Sequence, residues 1–282
     1  MMQIIYDIET MRAVIAQIKE KKLNIGFVPT MGALHKGHLA LVENAKVNSD
    51  VVIVSIFVNR KQFDDADDYA NYPRNLERDS NFLHEVGVNY LFYPNDEEMW
   101  ENDAETIVET TNLSNILVGK VRPGHFNGVT TIVTKLFNII EPTCAFFGEK
   151  DFQQLAIIKK MVKDLNFNIN IIGVSLVREK DGVAYSSRNS LLTIEQRKSA
   201  QILSQALFAA QLEFENGMKQ VEDLRTFLRN FISQEKLALI ELIDILDANS
   251  LETPQGYLEA GMVILLFVRF GTIQLIDQHI LR

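Results

Sequence analysis

Val28-Pro29-Thr30-Met31-Gly32-Ala33-Leu34-His35-Lys36-Gly37-His38 is the stretch whose reading decides the fold. Just before it, the apolar run from Ile25 reads as a buried strand, which Pro29 ends because proline has no N–H to give a ladder. Gly32 and Gly37 allow a tight turn and a close approach of backbone to a ligand. From His38 on, Leu39, Leu41, Val42 and Ala45 recur at helical spacing, so a helix starts near Gly37. A strand, a glycine loop and a helix N-terminus in that order gather anions on unpaired N–H groups and at the positive end of the helix dipole. His35 and His38 stand three apart, so both rings face one side of the turn.

Other chemistries are weighed against this one. The two glycines have P-loop spacing, but His38 stands where that motif needs lysine. Two close histidines suggest zinc, yet no third ligand follows at a convincing spacing, and Cys144 is the sole cysteine. A structural turn carrying two surface histidines is the bland alternative.

Composition bounds the choice. The chain has 282 residues, 47% hydrophobic and 23% charged, enough for one large soluble domain and a smaller one. A net charge of −9 argues against nucleic acid and anionic membrane as partners. A small anionic substrate in a local basic pocket stays compatible with it. The lone cysteine and an N-terminus without a basic segment lead us to expect a cytoplasmic protein with no secretory signal. The longest apolar runs are too short to span a bilayer.

Outward from the loop, Asp7–Lys22 has helical periodicity, and Asp50–Asn59 is an apolar, β-branched run that reads as a strand buried on both faces. A β-α-β unit with a crossover predicts a parallel sheet. Asn59 and Gln62 follow the carboxyl end of that strand, where ligands bind in open α/β sheets; loop capping is the competing role. Asp64–Asp68 reads as a solvated loop, Asn75–Val86 as a helix capped by Asn75, and Tyr90–Tyr93 as a short strand. Asp96–Ser114 reads as a loop with short strands. Lys120, Arg122 and His125 gather cationic or titratable groups in a glycine-rich segment, a lid, an anion contact or a polar turn before a helix over Val129–Ile140. Cys144–Phe147, Gly148-Glu149-Lys150-Asp151 and a helix over Phe152–Leu165 repeat the strand–glycine–helix device. Lys150 is a point charge where a polyphosphate would want one. Ser186-Ser187-Arg188-Asn189 suits phosphate oxygens, or caps a helix. Beyond it, Thr193–Asn216 and Lys219–Ser233 read as helices, and Leu237–Leu246, Met262–Phe270 and Ile273–Leu281 as strands. The expected fold is α/β: a Rossmann-like parallel sheet domain over residues 1–175, then a smaller α+β domain over 176–282.

Six stretches, taken together and in order, resemble the pantoate–β-alanine ligase (pantothenate synthetase) family of the nucleotidylyltransferase superfamily. They are Pro29–His38, Phe57-Val58-Asn59 with Gln62-Phe63, Tyr72-Pro73-Arg74, Arg122-Pro123-Gly124-His125-Phe126, Phe146–Gln154, and Val177-Arg178-Glu179 through Ser186-Ser187-Arg188-Asn189. The resemblance implies that MgATP and pantoate form a pantoyl adenylate and pyrophosphate, and that β-alanine then attacks to give pantothenate and AMP. It implies ATP contacts at Met31, Gly32, Ala33, Leu34, His35, Lys36, Gly37 and His38, at Gly148, Glu149, Lys150 and Asp151, and at Val177, Tyr185, Ser186, Ser187 and Arg188. His35, His38 and Lys150 are the implied catalytic groups, His38 as proton donor. Gln62, Gln154, Phe57 and Phe147 would hold pantoate; Gln62, Asn59, His125 and Arg122 would serve β-alanine; Asp79 would touch Mg2+. A homodimer is implied as well. Two residues depart from the family pattern: Arg60 replaces a usual proline, and Asp64 replaces a frequent glycine. Two further readings are a nucleotidylyltransferase that stops at a nucleotide-linked product and a non-enzymatic nucleotide-binding module.

Overall fold

The computed structural model describes residues 2–64 and 66–282. Two compact units emerge: residues up to Glu149 with Gln153–Ser175, and Lys150–Phe152 with Leu176–Arg282.

The first unit runs β1 (Gln3–Ile5), α1 (Ile8–Glu20), β2 (Ile25–Thr30), α2 (Lys36–Asn48), β3 (Val51–Ile56), α3 (Ala66–Asn71), α4 (Leu76–Glu85), β4 (Tyr90–Phe92), α5 (Asp96–Met99), α6 (Val118–Val121), α7 (His125–Ile140), β5 (Cys144–Gly148), α8 (Phe152–Asp164) and β6 (Asn170–Val174). Six parallel strands lie in the order β1-β4-β3-β2-β5-β6. Alternation along the strands loads both faces. On β2, Phe27 joins the apolar cluster that contains Met11 and Ile15 of α1, Leu136 of α7 and Ile157 of α8. Its neighbour Val28 joins the opposite cluster, with Val42 of α2 and Leu83 of α4. Phe146 and Phe147 of β5 divide in the same way. Helices therefore cover the sheet on both sides, as a parallel sheet with continuous apolar strands requires.

The second unit contains α9 (Ile194–Ala200), α10 (Ile202–Glu215), α11 (Val221–Ile232) and an antiparallel sheet of β7 (Ala238–Asp247), β8 (Met262–Phe270) and β9 (Ile273–Ile280). Leu207 and Ala210 of α10 and Leu224 and Leu228 of α11 pack with Ile264, Leu266 and Val268 of β8 in one core. Among the described residues no helix is long and apolar enough to cross a membrane.

Several local expectations change. Pro29 does not end β2, which continues to Thr30 with Pro29 opposite Ser55. The ladder to β5 has already stopped at Phe27, so proline sits where β2 is paired on one side alone. Three-residue β1 is too short for a periodic signal and joins the sheet edge through β4. The acidic stretch Asp64–Asp68 holds the start of α3. Asp96–Ser114 contains no strand; short helical turns occupy its two ends. His125 opens α7 four residues ahead of the expected helix start, with Gly124 as N-cap at φ 85°. The single helix expected over Thr193–Asn216 breaks at Gln201 into α9 and α10. Cys144 is buried and its thiol is pushed up by desolvation, as an inert core residue should be.

Candidate active site

The sheet order reverses beside β2. From it the chain steps one way to β3 and later returns to the other side as β5. Ligands in open α/β sheets bind outside the carboxyl ends of strands at such a switch point. Here β2 stays paired with β3 through Thr30–Ile56, but with β5 only at Gly26 and Phe27, so the two central strands part toward their carboxyl ends. The glycine loop leaves β2 at that end, and Gly148 ends β5 there.

The loop is built from unusual backbone. Thr30 Oγ1 donates to the Ser55 carbonyl (2.8 Å) and accepts the Gly32 N–H (3.2 Å). Gly32 (φ 81°) and Ala33 (φ 51°) then both take left-handed conformations, against alanine's usual preference. His35 returns to extended backbone and caps α2. Its Nδ1 accepts the Gly37 N–H (3.1 Å), while Nδ1 of His38 reaches back to accept the N–H of His35 (3.2 Å). This is a capping box with imidazoles in place of the usual hydroxyl and carboxylate. An N–H can only donate, so both rings use Nδ1 as acceptor and carry their neutral-form proton on Nε2. The ring centroids are 4.1 Å apart. The first turn of α2 holds no acidic residue, which leaves the dipole end positive.

Beyond β3, residues Arg60–Gln62 form a single 3-10 turn capped by Asn59. Asn59 is 1% exposed and Gln62 8%, so neither is a solvated loop residue. Asn59 Nδ2 donates to Gln62 Oε1 (3.1 Å) and to the Gly128 carbonyl (3.0 Å), and Gln62 Nε2 contacts Met31 Sδ (2.8 Å). Phe57 and Phe147, the expected apolar wall, are buried in the same cluster. The glycine-rich segment grips this turn: His125 Nδ1 donates to the Gln62 carbonyl (2.7 Å), and Arg122 Nε donates to Asp64 (2.6 Å). The carbonyl can only accept, so His125 carries its proton on Nδ1, the opposite tautomer to His35 and His38. Asp64, one of the two departures, is thus the partner of Arg122.

Sequence reasoning missed Trp100, the only tryptophan in the chain. Its Nε1–H donates to Asn59 Oδ1 (3.2 Å), and Lys61 Nζ lies 4.0 Å from its ring centroid. A tryptophan inside an acidic stretch was the available signal. Trp100→Phe keeps an aromatic ring and drops the N–H. We expect the KM of a substrate seated at this turn to rise about threefold to tenfold, the equivalent of about 1 kcal/mol of lost positioning. An unchanged KM would separate Trp100 from the site.

Of the adjacent glutamines, Gln153 is used up structurally: it accepts from Val118 N–H and donates to the Leu113 and Ile116 carbonyls. Gln154 is half-buried one position on. Asp79 is 2% exposed, and its oxygens accept the N–H groups of Ala33 (2.8 Å) and Leu34 (3.1 Å). The family resemblance implies a magnesium contact for it; in the structure it supports the glycine loop. Among the described residues no group of three His, Cys, Asp or Glu side chains is arranged to hold a metal ion. A cavity of about 190 Å³ lies beside this loop, lined by Met31, Gly32, Phe57 and Tyr93 among others.

After β5, Glu149–Asp151 form a 3-10 turn that leads into α8, and Lys150 lies 3.8 Å from Asp151. In the second unit, Val177–Tyr185 forms a small hairpin around Gly182 (φ 91°), closed by Tyr185 N–H to the Val177 carbonyl (3.0 Å). Ser186 caps the 3-10 turn Ser187–Leu191, which carries Arg188. Asn189 pins that turn to Glu179 (2.8 Å) and the Ala184 carbonyl (2.9 Å). Arg197 of α9, which sequence reasoning did not single out, forks onto Glu179 and Asp181 and holds the Asp181 carboxyl below its ordinary range.

A crevice at a switch point, a glycine loop and two imidazoles at a helix N-terminus define a doubly wound α/β enzyme that handles an anionic substrate. The family model described as Pantoate-beta-alanine ligase matches residues 3–280. The chain belongs to the pantoate–β-alanine ligase family and is a ligase. The pantothenate synthetase of Bartonella henselae is 50% identical over 281 residues, spanning 100% of this chain and 99% of that one. That of Brucella canis is 48% identical over 280 residues, 99% of this chain and 96% of its own. The crystal structure of the Thermus thermophilus enzyme superposes with a TM-score of 0.93 at 40% identity, covering 99% of each chain. The Francisella tularensis pantoate–β-alanine ligase, solved with β,γ-ATP and β-alanine, gives a TM-score of 0.81 at 34% identity over 99% of this chain and 98% of its own.

Proposed function

We propose that the protein joins pantoate to β-alanine at the expense of ATP through a pantoyl adenylate. Pyrophosphate leaves in the first step and AMP in the second. A free carboxylate is a poor electrophile; linking it to AMP supplies a leaving group. The first step crowds charge around the α-phosphate, which fixed hydrogen-bond donors stabilise. The observation that carries this reading is the imidazole capping box. It locks His35 and His38 as Nε2–H donors at the N-terminus of α2. The relative solved with β,γ-ATP and β-alanine supports the same substrates here.

In this reading the loop Met31–His38 cradles the nucleotide phosphates, and His38 donates to the α-phosphate as it changes. Lys150 neutralises the outer phosphates, beside Gly148, Glu149 and Asp151. On the family resemblance, Ser186, Ser187 and Arg188 serve as phosphate ligands, and Val177 and Tyr185 as further nucleotide contacts. Gln62 and Gln154 hold the polar groups of pantoate against Phe57 and Phe147. Asn59, Arg122 and His125 shape the turn that the amine meets in the second step. A magnesium ion entering with ATP would screen phosphate charge. The residue that the resemblance assigns to it, Asp79, accepts the N–H groups of Ala33 and Leu34. On the family resemblance we also propose a homodimer, and the single buried thiol fits a reducing cytoplasm.

Incubation with ATP, pantoate and β-alanine tests the reading. Pyrophosphate release is expected to need pantoate, and AMP release to need β-alanine. Pyrophosphate without amine-dependent AMP would mark a nucleotidylyltransferase; neither product would leave a binding module.

A further inference from the structure

We propose that Asp79 is a positioning residue for the histidine loop. The carboxylate comes from the first turn of α4, 46 and 45 positions from the residues it holds. It lies under the loop: a Cβ added to Gly32 would stand 3.1 Å from Asp79 Oδ2. Its two acceptors take consecutive N–H groups, those of Ala33 and Leu34. Ala33 is the non-glycine residue held at φ 51°, a conformation that persists only where surrounding bonds enforce it. The neighbouring Arg78 grips the same segment from its other polar edge, donating Nη2 to the Leu34 carbonyl (3.2 Å). The first turn of α4 thus clasps the residues directly before His35. If they shifted, the N-cap of α2 and both imidazoles would move with them.

The inference rests on the reading of that loop as the phosphate-handling element. Its test separates the two. Asp79→Asn keeps the shape but sets an amide N–H2 against one backbone N–H. In metal-free, nucleotide-free protein it should lower Tm by about 5 °C or more, a readout that a metal ligand would not move. With ATP, pantoate and β-alanine, kcat should fall about tenfold while the Mg2+ concentration for half-maximal rate stays where it was. A normal Tm with a several-fold higher Mg2+ requirement, cured by excess Mg2+, would overturn the proposal. If Asp79→Asn does not fold, Arg78→Met decides: reduced kcat at an unchanged Mg2+ midpoint supports the clasp, and a wild-type kcat sinks it. Normal adenylation by His38→Ala would instead refute the reading of the loop.

Discussion

Pyrophosphate release by His38→Ala is expected to fall about 10²-fold or more, with the fold intact, because the variant removes a preorganised donor from a site of developing charge. The substitution removes two things at once. One is the Nδ1 acceptor for the His35 N–H, whose loss from a helix cap costs about 1 kcal/mol. The other is the Nε2–H that the capping arrangement leaves to carry the proton. His38→Glu separates them. Glutamate at the third helical position restores the reciprocal cap but offers no donor, and places negative charge beside phosphate. We expect it to recover stability and stay slow. Measured as single-turnover pyrophosphate release beside a thermal unfolding curve, full activity in either variant would remove His38 from the chemistry.

Gly128→Ala should damage both stability and substrate binding, because an added methyl there meets backbone that belongs to the Gln62 turn. Gly128 lies inside α7, where alanine is worth about 1 kcal/mol more than glycine on helix propensity alone. The added methyl, however, would stand 2.4 Å from the Lys61 carbonyl oxygen and 2.8 Å from Gln62 Cα. Those atoms are backbone and cannot swing aside as a flexible side chain would. α7 and the Gln62 turn must separate, an over-packing that costs about 1–3 kcal/mol, and the Asn59 bond to the Gly128 carbonyl is strained with them. The steric term exceeds the propensity term, so the net sign is destabilising. The pantoate KM should also rise about tenfold or more as Gln62 is displaced. Denaturant unfolding together with substrate titration checks both. A stabilised variant with an unaltered KM would mean that the turn gives way freely.

These two residues mark how far the sequence reading reaches. His38 was legible because its environment is local: a strand, a glycine loop and a helix start are written in contiguous residues, and the neighbour that it caps is three positions away. Gly128 was not, because nothing near it in the chain tells that Lys61 approaches from 67 residues upstream. The same division runs through the site. Gln62 and Asn59 were placed by the strand that precedes them, whereas Trp100, which supports Asn59, lay in a stretch read as loop. Asp64 stood out as an oddity, and Arg122 as a cation of uncertain purpose; only folding made them a pair. The resemblance implies a metal contact for Asp79, and only the folded chain shows that its carboxylate also faces the N–H groups of Ala33 and Leu34.

The sequence by itself determined the alternation of strands and helices, the parallel sheet, the helix-starting loops, and the family. Periodicity, turn residues and short motifs act over a few positions and survive without three-dimensional context. Tertiary structure alone decided the strand order, the parting of β2 from β5, the tautomers of His35, His38 and His125, and the partners of Asn59, Gln62 and Asp79. Hydrogen bonds turn on the direction and spacing of atoms to within a fraction of an ångström, and residues dozens of positions apart acquire such geometry only when the chain has packed.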